Sequence, residues 1–204
     1  MEFMTPEIIA HRGASYLAPE NTLSAFRKAM EIGADGVEMD VQQTSDKKLV
    51  IHHDFVIDWH TDMRGQIYDM TEGELKALDF GSWKDVSYKD ERIATLHEAL
   101  ALCREMEGTV VQLELKATID NDPDFVPRVI EEICAADITD RLVVISFNHD
   151  LLRQAKQLMP ELKVGVLVYG AMETMALPTA MWEILGLQNS LEEDDFPQLP
   201  MFSV

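Results

Sequence analysis

The chain has 204 residues, enough for one substantial core and for one or two domains. Hydrophobic residues make up 47% of it, which fits a globular protein and excludes a disordered one. Seventeen Lys plus Arg against 37 Asp plus Glu leave a formal net charge of −20, a field that repels nucleic acid and anionic lipid. No apolar run reaches the roughly 18 residues of a membrane span, and MEFMTPEIIA lacks the basic start and apolar core of a signal peptide. No stable membrane association and a cytoplasmic address are therefore expected. Cys103 and Cys134 fall in helix-like apolar patterns without a His or Cys partner at ligand spacing, so two buried thiols are expected.

In chain order, EIIAHRG is a short apolar strand ending on His11 and Arg12, with Gly13 opening a loop. Asn21 or Thr22 caps a helix whose face is Leu23, Phe26 and Met30 and whose stop is Gly33. Strand two is GVEMDVQQT, and after the polar turn TSDKK strand three is KLVIHHD. Side chains two apart in a strand share a face, so Glu38 and Asp40 project together while Val37, Met39 and Val41 cover the other side. By the same rule His52 and His53 point in opposite directions. A polar stretch from Phe55 to Arg92 follows, with a capping box of Thr71 and Glu74 at the start of one short helix. Thr95 and Glu98 form a second box, opening a helix with the stripe Leu96, Leu100, Cys103 and the stop Gly108. Then come the strand TVVQLELKAT, the helix PDFVPRVIEEICAADI, the strand RLVVISF, the helix HDLLRQAKQLMP and the strand LKVGVLVYG.

Strands that are nearly continuous apolar runs, alternating with helices, predict a parallel sheet covered by helices. Polar residues gather at the C-terminal ends of the strands: His11, Glu38 with Asp40, His53, Glu114 with Lys116, and Ser146 with Asn148. Several strands feeding one mouth predict a TIM (β/α)8 barrel rather than a doubly wound sheet. The expected organisation is one barrel domain over 1–204, with a small inserted lobe at about 55–92 and an atypical acidic, Pro-rich tail at about 188–204. A seventh strand is expected within Trp182–Leu187. No eighth is identifiable, so the barrel is expected to be incomplete at its C-terminus.

Three carboxylates at one mouth repel unless a hard divalent cation takes their oxygens, so Glu38, Asp40 and Glu114 are the candidate metal ligands, with Mg²⁺ or Ca²⁺ as the expected cofactor. His11 and His53 offer a proton acceptor and a proton donor flanking a metal-held group. Arg12 and Lys116 supply the fixed positive charges a phosphate needs. No Gly-rich phosphate loop and no Ser or Cys nucleophile motif is present.

HRG, then PENT, ExD, HD and ExK, in this order, resemble the glycerophosphodiester phosphodiesterase family, and DMTEGELKALDFG, IATLHEAL and VVISFNHDLL extend the resemblance over residues 8 to 168. The resemblance implies a TIM barrel, a divalent metal, and hydrolysis of small-molecule glycerophosphodiesters to glycerol 3-phosphate and an alcohol. It implies an acid–base pair at His11 and His53, metal ligands at Glu38, Asp40 and Glu114, and phosphate-side cations at Arg12 and Lys116. Within PENT, Glu20 reads as a partner of Arg12. Two departures stand out: Trp59 takes an Arg position of the family after HD, and the family's final W-T-V-N-like strand has no counterpart here. The alternative expectation is an inactive or weakly active truncated homologue acting as a binding protein or as a homo-oligomer that covers open barrel edges. A sibling phosphodiesterase of lysolipid headgroups is disfavoured by the charge of −20.

Overall fold

The computed structural model describes residues 6–116 and 122–168. Its strands are β1 (Ile9–Ala10), β2 (Gly36–Gln43), β3 (Leu49–Ile51), β4 (Ala94–Thr95), β5 (Val110–Leu115), β6 (Leu142–Ser146) and β7 (Lys163–Val166). Its α-helices are α1 (Leu23–Glu31), α2 (Glu72–Lys76), α3 (Leu96–Glu105), α4 (Phe125–Ala136) and α5 (His149–Leu158).

The helix starts follow from short-range chemistry. Thr22, not Asn21, caps α1, its hydroxyl accepting from the Ala25 amide. Thr71 with Glu74 and Thr95 with Glu98 both form complete capping boxes, at α2 and α3. Leu96, Leu100 and Cys103 are buried as their spacing requires, whereas Cys134 of α4 is exposed, a correction to the expectation of two buried thiols.

The strands β1, β2, β5, β6 and β7 are parallel, each paired with the next in that order. α1 packs on α3, α3 on α4 and α4 on α5, so the helices follow the strands around one side. A sequential order without reversal is the wall of a barrel; a doubly wound sheet turns back at a switch point. In the register, Val37, Met39 and Val41 lie level with Val111, Leu113 and Leu115, and this face joins Phe26, Ala29, Leu100 and Ile133 in the main core. The opposite face of the same strands carries Glu38 beside Gln112 and Asp40 beside Glu114.

Two features depart from the expected all-parallel sheet. The strand KLVIHHD is shorter than its apolar run, and β3 pairs antiparallel with β2, and β4, which has no sequence signal, pairs antiparallel with β3. The five-residue turn TSDKK is too short for a parallel crossover, which needs a dozen residues or more. The chain therefore climbs past the mouth along β2 and returns along β3. Around that hairpin a second, smaller core forms from Val50, Ile57, Ile67, Leu75, Phe80 and Ile93. The strand expected within Trp182–Leu187 and the acidic tail lie outside the described residues.

Candidate active site

β1 ends one residue before the site. Ile9 and Ala10 pair with Gly36 and Val37, so the next residues, His11 and Arg12, come level with Glu38. There the chain turns through two left-handed residues, Arg12 at φ 57 and Gly13 at φ 77. A Cβ on Gly13 would lie 2.7 Å from the backbone carbon of Ala25, so only glycine fits against α1. The turn aims the Arg12 amide at Glu38, whose Oε2 accepts from it at 2.9 Å. His11 Nε2 lies 3.9 Å from the same oxygen.

β2 and β5 place the acids. Glu38, Asp40 and Glu114 each offer an oxygen within 4.8 Å of the others. Arg12 donates to Glu20 at 2.9 Å, as the sequence suggests, and its Nε lies 3.7 Å from Asp40 Oδ2. Lys116 donates to Glu114 Oε1 at 3.0 Å, with Asp40 Oδ1 at 3.4 Å. Burial, reinforced by Asp40, pushes the Glu38 carboxyl up to about 8. Burial also raises Glu114, though Lys116 opposes it. Arg12 and Lys116 therefore leave the acids short of positive charge. In addition, Asp40 Oδ1 is buried without a hydrogen bond. An all-oxygen donor set with a negative surplus and an unsatisfied acceptor fits a hard divalent cation.

His53 arrives from the other direction. Because β3 is antiparallel, its C-terminal end runs back toward β2, and the His52 amide donates to the Asp40 carbonyl at 2.9 Å. His53 Nδ1 pairs with Asp54 Oδ1 at 2.9 Å. His52, which follows the end of β3 opposite Asp40, packs into the second core against Phe80 and His60, where burial takes its pKa down to about 4. Burial, then Arg12, likewise holds His11 below its ordinary value.

Ser146 and Asn148 do not join this group. Ser146 follows Ile145, the partner of Glu114, so it falls on the face of the apolar core, where its hydroxyl donates to the Leu115 carbonyl. Asn148 caps α5. Three residues that the sequence analysis does not place in the site support it instead. Asn21 donates to Asp40 Oδ2 at 2.7 Å and accepts from the Asp40 amide at 3.2 Å. Gln42, next on the Glu38–Asp40 face, donates from one amide nitrogen toward the carbonyls of His52, His53 and Asp54. Period-two spacing is the signal that could have found Gln42. Asn21 lies in the PENT motif but reads locally as a helix cap, and nothing local points to the third, His60, which stands between Glu20 and Asp54.

The family model described as "Glycerophosphoryl diester phosphodiesterase family" matches residues 11–193. The chain belongs to this family. Its fold is accordingly the TIM barrel, with β1, β2, β5, β6 and β7 as staves among the described residues. A glycerophosphodiester phosphodiesterase of Caldanaerobacter subterraneus is 41% identical over 160 residues, covering 78% of this chain and 65% of that protein. Human glycerophosphodiester phosphodiesterase 1 is 44% identical over 151 residues, covering 73% of this chain and 45% of that one. The chain thus spans less than two thirds of the length of these relatives. Among solved structures, a phosphodiesterase from Oleispira antarctica in complex with the product sn-glycerol-3-phosphate superposes with a TM-score of 0.81 at 37% identity. It covers 89% of this chain and 72% of that one. Among the described residues, no helix is long and apolar enough to cross a membrane.

Proposed function

We propose that this chain carries the catalytic site of a glycerophosphodiester phosphodiesterase, which hydrolyses small glycerophosphodiesters to sn-glycerol 3-phosphate and an alcohol. The observation that carries the reading is the convergence of Glu38, Asp40 and Glu114 within 4.8 Å, flanked by His11 and Arg12, with His53 near enough to His11 to act on its charge. Glu38, Asp40 and Glu114 are the residues that would hold a divalent ion, Mg²⁺ or Ca²⁺. When bound, such an ion supplies positive charge to the phosphate oxygens as negative charge builds on them.

Arg12 is held by Glu20 and turned into the mouth, where its guanidinium binds and orients the phosphate. Lys116 adds a second fixed cation on the Glu114 side. His11, kept neutral at pH 7 by its lowered pKa, is suited to take the proton of the attacking hydroxyl. On His53 the Asp54 contact engages Nδ1 and leaves Nε2 to face the leaving alkoxide and protonate it. The nucleophile is water or the substrate's own glycerol 2-hydroxyl; a transient cyclic phosphate distinguishes the second.

The test is hydrolysis of glycerophosphocholine by the chain, with Mg²⁺ or Ca²⁺ and with EDTA, followed through release of glycerol 3-phosphate. The reading predicts release that EDTA abolishes and added cation restores. No release by folded chain in either cation, or release indifferent to EDTA, sinks it.

A further inference from the structure

His60 belongs to none of the roles above, yet it lies between two of them. Its ring is nine-tenths buried. It packs edge-on against His52, with centroids 5.0 Å apart, and against Trp83 at 4.6 Å, so two aromatic walls fix its plane. On one edge Nε2 lies 3.9 Å from Glu20 Oε1; on the other Nδ1 lies 3.9 Å from Asp54 Oδ2. Those two carboxylates each hold a functional side chain. Glu20 Oε1 accepts from Arg12 at 2.9 Å, and Asp54 Oδ1 pairs with His53 Nδ1 at 2.9 Å. The resulting order is Arg12, Glu20, His60, Asp54, His53.

An apolar wall would suffice if this position served packing alone. Instead a polar ring is buried with a nitrogen toward each acid, and Nδ1 has no hydrogen-bond partner of its own. A buried unpaired nitrogen is costly, which favours closure on the carboxylate in front of it. The ring also separates two like charges. Without it, Glu20 and Asp54 could approach across the gap, or compete for Arg12 or His53.

Resting on the proposed roles of Arg12 and His53, we infer that His60 is a positioning residue: a rigid imidazole wedge that keeps Glu20 on Arg12 and Asp54 on His53. It touches no reacting atom. It ties the orientation of the phosphate-binding cation to that of the proton-transferring histidine. A displacement of about 1 Å in such groups costs on the order of 10²-fold in rate, so the wedge is placed where small losses of order matter.

The two edges of the ring can be tested separately. His60→Phe keeps the stacked plane and removes both nitrogens. His60→Gln returns an amide nitrogen near the place of Nε2, and His60→Asn one near the place of Nδ1. Two readouts that do not need turnover are the dissociation constant for sn-glycerol 3-phosphate with Mg²⁺, which follows Arg12, and the ring ¹⁵N shifts of His53, which follow Asp54. His60→Phe is expected to weaken binding by about tenfold and to move the His53 shifts. His60→Gln should restore the binding but not the shifts, and His60→Asn the shifts but not the binding. In a turnover assay the same split appears as KM recovering with Gln and kcat recovering with Asn.

Unchanged binding and shifts in His60→Phe overturn the inference, as does identical behaviour of the Gln and Asn variants. If the His60 variants do not fold, Glu20→Gln in the otherwise intact chain decides: it should move the His53 shifts through His60, and unmoved shifts refute the wedge. Arg12→Ala keeps the two levels apart. Undiminished glycerol 3-phosphate binding in Arg12→Ala overturns the parent reading of the site, whereas lost binding there with silent His60 variants overturns only the role of His60.

Discussion

Replacing Glu38 by Gln isolates the electrostatic cost of the three-carboxylate cluster. The substitution is isosteric, and the Gln carbonyl can still accept from the Arg12 amide that Glu38 now receives at 2.9 Å. Only the charge is lost. In the unfolded chain the Glu38 carboxyl gives up its proton near 4.5, while in the fold burial and Asp40 hold it until about 8. Between those values the folded state binds more protons than the unfolded one, so stability falls as pH rises. The slope is about 1.4 kcal/mol per pH unit, and the whole window amounts to about 5 kcal/mol. Below pH 4.5 both states are protonated and Glu38→Gln should be close to neutral. Above pH 8 both are ionised and the advantage of the variant should level off near its full value. Denaturant titrations in EDTA at pH 5, 6, 7, 8 and 9 measure the difference directly. Adding Mg²⁺ or Ca²⁺ should reverse the order, because a cation stabilises the ionised cluster of the parent more than the depleted cluster of the variant. Stability curves that run parallel across the pH range in EDTA would falsify the account of Glu38. A cation response equal in both proteins would remove it from the metal site.

His11→Ala and His53→Ala should each lower kcat by about 10²–10⁴-fold, read as initial rates of glycerol 3-phosphate release, with little change in melting temperature; a normal rate in either removes that histidine from the chemistry. His52, whose pKa of about 4 lies below the ordinary 6.5, contributes stability that is present above 6.5 and is lost as pH falls toward 4, at about 1.4 kcal/mol per unit. His52→Gln should flatten that acid limb in denaturant titrations, and an unchanged limb places the acid sensitivity elsewhere. Asn21→Ala removes two hydrogen bonds to Asp40 and puts Ala at φ 56, together about 3–5 kcal/mol by denaturation, and it should also weaken divalent-ion binding by calorimetry. Gly13→Ala meets the Ala25 backbone at 2.7 Å in a left-handed turn, so a soluble variant with unaltered stability would refute the close packing described for that corner.

Much of this site was legible in local chemistry. The capping boxes at Thr71 and Thr95 need only residues three apart, and they form as written. Strand parity put Glu38 with Asp40, because the side-chain period of a strand is two whatever it pairs with. The charged pair Arg12 and Glu20 lies eight residues apart across one loop, short enough to be guessed. What the chain could not say locally is where strands come to rest against one another. KLVIHHD reads as another apolar strand, but only the pairing register shows that it returns antiparallel along β2 and sets His52 against the Asp40 backbone, with His53 following just beyond the strand end. Ser146 sits at a strand end like Glu114, yet an offset between β5 and β6 turns it to the core face. Gln42 shares the Glu38–Asp40 face by period, but Asn21 and His60 owe their roles to partners 6 to 40 residues away in the sequence, in loops whose spacing carries no period. Periodicity and capping are properties of one segment and survive in the sequence; register and loop return are properties of two, set by which buried faces meet, and they exist only once the chain has folded.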